Sequence, residues 1–191
     1  MGDPAISPES ARLPNTADAD SPLRVVVGWD MAGSEAVDFA AWLGRSLPVC
    51  VKVVSSARLP RIQALTSSAK SRKKRLKEID TAFRKRVTKE LDGQLPRGQW
   101  ADAVTELVDS KDTLQALYGT ASDFGADLIV MGSRAKTPKG RFRPSSIADE
   151  MLYSSPVPLG LAPRGVKLSK KGLTRVTYAI VQTDDPAEPN F

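Results

Sequence analysis

Five basic side chains lie between a glycine and a pair of serines in residues 132–146, an arrangement suited to binding an anion. Leu128 to Met131, just before it, is a short apolar run of the type expected for a strand buried on both faces. Gly132 ends that strand. Arg134, Lys136, Lys139, Arg141 and Arg143 fill the following loop, and Ser145 with Ser146 opens a helix. Backbone N–H groups and the positive end of the helix dipole would then point into one cavity, a place for phosphate. Gly132 has to be small if a ligand is to approach the strand end. Ser146 keeps a hydroxyl that can reach a phosphate oxygen or cap the helix, and the two serines also suit an N-cap pair.

Such a loop needs a sheet to carry it, and the alternation of patterns along the chain supplies one. The β-branched run at residues 24–29 predicts a first strand, followed by a turn at Asp30 and a helix with Ser34 as N-cap and Val37, Ala40, Ala41 and Leu47 facing inward. Residues 49–54 predict a second strand that includes Cys50 as a small buried residue. Residues 55–68 read as a connecting loop or lid. Leu76, Ile79, Phe83, Val87 and Leu91 then form the stripe of a long amphipathic helix ending near Gly93. A third strand is predicted over Ala103–Val108, less apolar and nearer an edge. The helix after it is capped by Ser110 with Asp112 in its first turn. Leu114, Leu117, Tyr118, Ala121 and Phe124 are its buried stripe, and Gly125 ends it. A short helix carrying Ile147, Met151 and Leu152 leads to a fifth strand over Val157–Ala162. The expectation is an α/β chain with an open, five-stranded, mostly parallel sheet and helices on both faces. Ligands of such sheets bind beyond the carboxyl ends of the strands, where the strand order reverses.

From Asp127 to Arg134 the chain reads Asp-Leu-Ile-Val-Met-Gly-Ser-Arg, followed by a loop, two small residues and a short helix ending near the Ser-Pro-Val-Pro of residues 155–158. This resembles the universal stress protein family over residues 23–164, and implies its fold, a relative of the Rossmann arrangement. Members that bind ATP carry Gly-x2-Gly-x9-Gly-(Ser/Thr) here. The chain has Gly132-x2-Ala135-x9-Ser145-Ser146, complete in spacing with two of three glycines replaced. The resemblance also implies that Asp30 and Val53 hold the nucleoside, although the loop after strand one is about two residues longer than the family's Asp-Gly-Ser form. The nucleotide-binding set it implies is Gly28, Trp29, Asp30, Val53, Met131, Gly132, Arg134, Ala135, Ser145, Ser146 and Ile147. If the loop requires positive φ at Ala135, the methyl group costs on the order of 1 kcal/mol, about tenfold in affinity. Ser145 narrows the same approach; the five basic residues either compensate electrostatically for the lost glycines or form a solvated, flexible surface. The expectation is ATP at reduced affinity, Mg2+ only with the nucleotide, and a regulatory, stress-response module. A homodimer through the last strand and an unidentified protein partner are further expected. The alternative is a member of the same fold that acts through protein contacts without ATP.

Composition narrows the chemistry. The 191 residues contain no histidine, which excludes His-based triads and counts against a zinc site. The sequence offers no nucleophile–base–orienter set and no carboxylate cluster, so no enzyme and no metal centre are expected. The single cysteine provides no disulfide framework and suits a reducing cytoplasm, the expected location. Trp29, Trp42 and Trp100 are scattered and need no functional explanation. No run reaches transmembrane length, and no membrane partner is expected. A net charge of +6 favours polyanionic partners without choosing among them.

The basic run Lys70 to Lys89 stands out, with Glu78, Asp80 and Glu90 offsetting little of it. Such a run is ordinarily a solvated helix face, so nucleic acid is not an expected partner. Polyanion binding through this helix is the third functional class. At the ends, residues 1–22 read as a flexible tail and 165–173 as a linker. Residues 174–191 read either as the start of a second repeat or as one extra strand.

Overall fold

The computed structural model of the chain describes residues 21–31, 33–56, 68–92, 94–99, 106–108 and 113–177. Strands β1 (Leu23–Gly28), β2 (Val49–Ser56), β3 (Glu106–Val108), β4 (Leu128–Gly132) and β5 (Leu159–Ala162) alternate with helices α1 (Glu35–Leu43), α2 (Ala69–Leu91), α3 (Thr113–Phe124) and α4 (Ser146–Ser154). Every strand pairing is parallel, in the order β3-β2-β1-β4-β5. The predicted α/β class with a parallel sheet is borne out. Because β1 lies between β2 and β4, the chain builds outward on one side of β1 and then on the other. The strand order therefore reverses at the carboxyl ends of β1 and β4.

The central strand shows why this sheet is covered on both faces. Val25, Val26 and Val27 are all fully buried, and successive side chains point to opposite faces. Val25 and Val27 pack with Val51, Val53, Phe83 and Val87 beneath α1 and α2. Val26 packs with Val54, Leu117, Ile129 and Met151 beneath α3 and α4.

Helix boundaries and faces depart from the expectations in several places. Ser34 holds the N-cap position of α1, but its hydroxyl donates to Asp38 Oδ2 at 2.7 Å instead of capping the backbone. Val37, Ala40 and Ala41 face inward as expected. Leu47 does not: α1 stops at Leu43, which takes the inner position, and Leu47 lies beyond the helix with 40% of its surface exposed. Cys50 is half-buried instead of buried.

The stripe of α2 is buried only in its second half, at Phe83, Val87 and Leu91. Leu76 and Ile79 are half-buried, and the other residues from 69 to 78 are exposed. Ser68 caps this helix, accepting from Ser71 N–H at 3.2 Å.

Leu114, Leu117 and Ala121 are the buried face of α3, with Tyr118 and Phe124 packed only in part. Gly125 closes the helix as expected. Arg24 fastens that end to β1, with Nε donating to Phe124 O at 2.6 Å and the guanidinium 4.4 Å from the Phe124 ring centre. In α4 Met151 is buried, while Leu152 is 47% exposed. β5 begins at Leu159, two residues later than expected. Pro158 has no N–H for the ladder, although its carbonyl accepts from Ile129 N–H at 3.0 Å.

Several expectations lie outside the described residues: the tail over 1–20, the loop over 57–67, Gly93, Trp100, the first part of the third strand, the cap at Ser110 and Asp112, and residues 178–191. No helix among the described residues is long and apolar enough to cross a membrane.

Candidate functional site

The carboxyl ends of β1 and β4 meet closely. A Cβ placed on Gly28 would lie 2.5 Å from Met131 Sδ, so a larger residue there would require the Met131 side chain to move. The chain then enters a loop anchored by Trp29, whose backbone N–H donates to Val54 O at 2.9 Å. Its indole N–H donates to Gly33 O, its ring packs 6.1 Å from Phe83, and the Arg86 guanidinium sits 5.4 Å from the ring centre. In this loop Met31 stands at φ 61°, the one non-glycine in the left-handed region among the described residues.

Beside this loop is a cavity of about 440 Å³, within the range of about 300–1,000 Å³ usual for small-molecule sites. Nine of the eleven expected residues line it: Gly28, Trp29 and Asp30 from β1, Met131, Gly132, Arg134 and Ala135 from β4 and its loop, and Ser145 and Ile147 from the start of α4. Two do not. Val53 is 1% exposed on the opposite face, in the cluster with Trp29 and Phe83, and Val54 takes its place at the cavity. In a strand a shift of one residue exchanges the faces. Ser146 is exposed as the first residue of α4, and Ser145 is both the cap, accepting from Ala148 N–H at 3.1 Å, and the lining serine.

Sequence reasoning missed the cavity's third wall. Thr113, Ala116 and Leu117 of α3 close it, together with Ser55 at the end of β2 and Glu35 and Ala36 at the start of α1. The stripe of α3 marked Leu117 as core, which it also is. The only available signal for the others was position, since first turns after strands gather at this edge of an open sheet. The Glu35 carboxylate folds back over Gly33, and so occupies the positive end of α1.

The basic loop is braced at its base. Ser133 is buried, its hydroxyl donating to Thr137 Oγ1 and accepting from Arg143 N–H, both at 2.9 Å. Arg134 N–H donates to Arg143 O at 3.1 Å, and Thr137 N–H to Arg134 O at 2.9 Å. The outer part is tied to the chain leaving β5. Gly140 N–H donates to Arg164 O at 2.7 Å, Arg164 N–H to Arg141 O at 3.0 Å, and Arg164 Nη1 to Thr137 O at 2.8 Å. Gly140, at φ 77°, supplies the left-handed turn. Ala135 is outside that region, so the backbone cost considered for it does not arise. A Cβ on Gly132 would meet Ala36 at 3.7 Å, ordinary contact, which leaves room for a methyl group.

The resulting cavity is apolar at Val54, Leu117, Met131 and Ile147, carries carboxylates at Asp30 and Glu35, and opens toward Arg134. A second hollow of about 360 Å³ adjoins it, lined by Arg134, Ala135, Lys136, Thr137 and Arg143. A flat apolar ring with a polar hydroxylated edge and an anionic tail would match these three parts in turn. Among the described residues no three metal-ligating side chains gather.

Comparison with known proteins follows the same outline. The model of the universal stress protein family matches residues 23–163. No curated protein sequence matches the chain. Among solved structures, a protein of that family from Burkholderia pseudomallei is 18% identical, with 73% of this chain and 95% of that one covered at a TM-score of 0.52. The universal stress protein from Archaeoglobus fulgidus in complex with dAMP is 20% identical, with 73% and 97% covered at 0.42. A universal stress protein in complex with cAMP is 17% identical, with 78% and 98% covered at 0.46. At 18% identity the likeness to the Burkholderia pseudomallei protein is one of fold.

Proposed function

Because the chain belongs to the universal stress protein family, we propose that it binds an adenine nucleotide, ATP with Mg2+, and works as a nucleotide-responsive module in stress response. The observation that carries this is the convergence of nine expected residues on one cavity at the point where the parallel sheet reverses its strand order. The adenine would lie against Val54, Leu117, Met131 and Ile147, with Asp30 near the ribose hydroxyls. Phosphates would run past Gly132 toward Arg134, Lys136 and Arg143, which stand in for the backbone donors of a glycine-rich loop. Mg2+ would arrive with the phosphates and partly neutralise them.

Its role in this reading is binding, not turnover; ATP hydrolysis lost on Asp30→Asn would overturn that. Loop closure would alter a surface used by a second copy or another protein. β5, the edge strand of the sheet, is the place for a homodimer contact.

The test is calorimetric titration of ATP, with Mg2+, into the full chain and into Gly132→Val. Saturable binding by the parent that the substitution removes is the expected result. A parent that fails to bind would refute the nucleotide function and leave protein contacts as the activity of the fold.

A further inference from the structure

The first half of α2 carries charge that neither the core nor the cavity uses. Ten basic and three acidic residues lie on α2, an excess greater than the +6 of the whole chain. Lys70, Arg72, Lys73, Lys74, Arg75 and Lys77 are crowded into its first turns, all exposed. Among the described residues none of these six is ion-paired. The ion pair on this helix, Asp80 with Arg84 at 2.9 Å, lies beyond them. No acidic residue occupies the first turn, so the cations oppose the positive end of the helix dipole. Like charges three and four apart, as at Lys70 with Lys73 and Lys74, repel one another along the surface. A polyanion laid against this segment would relieve both conflicts at once.

The distribution of charge selects the polyanion. Arg72 and Lys73 occupy the positions four and three before Leu76, where the apolar stripe of Leu76, Phe83 and Val87 would continue. Residues 69–75 therefore have no apolar face to bury in lipid, as a membrane-surface helix requires. A helix charged on all sides fits a groove with phosphates on both walls. The major groove of duplex nucleic acid, about 12 Å wide, admits a helix.

We infer that residues 69–78 form a docking surface for the phosphate backbone of double-stranded nucleic acid, independent of base sequence and of the nucleotide cavity. This reverses the expectation that the run is only a solvated face.

The test is fluorescence anisotropy of a mixed-sequence DNA duplex of about 30 base pairs with the full chain. Neutralising about six phosphates gives a slope near −5 in log affinity against log salt, so binding weakens on the order of a thousandfold between about 50 and about 200 mM salt. Lys73→Glu/Lys74→Glu/Arg75→Glu should flatten that slope by about three and weaken binding at least about tenfold at low salt, with circular dichroism unchanged. If the charge reversal unfolds the helix, the Gln triple variant at the same positions gives the same slope change. Lys139→Glu/Arg141→Glu should bind like the parent. The inference is overturned if the parent leaves the duplex free at low salt, if the triple variants keep the parental slope, if Lys139→Glu/Arg141→Glu abolishes binding, or if vesicles containing phosphatidylserine are bound in preference to the duplex.

Discussion

Gly28 and Val54 are partners in the parallel ladder between β1 and β2, and the N–H of the next residue, Trp29, donates to the Val54 carbonyl. That register turns the Val54 side chain to the cavity and sends Val53 to the opposite core. Two neighbouring valines thus have separable roles. Val53→Ala should cost about 2 kcal/mol of stability through lost burial and a residual void, with ATP affinity changed by less than about twofold. Val54→Phe should fill the cavity and reduce affinity more than about tenfold, at an overpacking cost of about 1–3 kcal/mol. Denaturant unfolding and ATP titration on both variants check the assignment; the opposite pattern would place the cavity on the wrong face.

How much of this was legible in the sequence follows from the same pair. The run at residues 49–54 announces a strand, but with Lys52 its one polar side chain and Val53 and Val54 adjacent, it does not show which of the two valines meets a ligand. Its existence could be read and its register could not. The end of β4, the helix-ending Gly125 and the capping Ser145 were readable because each is a local requirement of backbone geometry. The wall from Thr113, Ala116 and Leu117 was not, because it depends on where α3 packs across the sheet. Leu47 lies beyond α1 because Gly44, its C-cap, ends the helix, a signal that the apolar spacing alone does not carry.

The brace under the basic loop predicts a second outcome. Ser133→Ala removes the acceptor for Arg143 N–H and the donor to Thr137. Leaving that N–H unsatisfied should cost about 1–3 kcal/mol. The loop should open more often, and affinity for ATP should fall further than affinity for adenosine. Parallel titrations of the two ligands read the difference; equal losses would mean that the brace does not serve the phosphate end.

Met31 sits in a conformation that side chains disfavour. A β-branched replacement is worse there than an unbranched one. Met31→Ile should destabilise by about 2 kcal/mol, whereas Met31→Gly should stay within about 1 kcal/mol of the parent. Thermal melts decide, and an indifferent Ile variant would show that the turn relaxes.

The two halves of α2 should respond differently to truncation. Phe83→Ala opens a void in the core and should cost about 3–5 kcal/mol, while Leu76→Ala, at a half-buried site, should cost less than about 1 kcal/mol. Amide exchange should show the same gradient, fast before residue 79 and slow after 83. Uniform protection along the helix would contradict the burial pattern.

Three hydrogen bonds join residues 137–141 to Arg164, just past the edge strand β5. The segment that would hold phosphate and the segment that would meet a second copy are thus one mechanical piece. If ligand closes the first and thereby reshapes the second, reciprocity requires that assembly alter ligand affinity by the same factor. The apparent affinity for ATP would then depend on protein concentration, and Arg164→Ala, which removes the side-chain link and leaves the two backbone ones, would weaken that dependence.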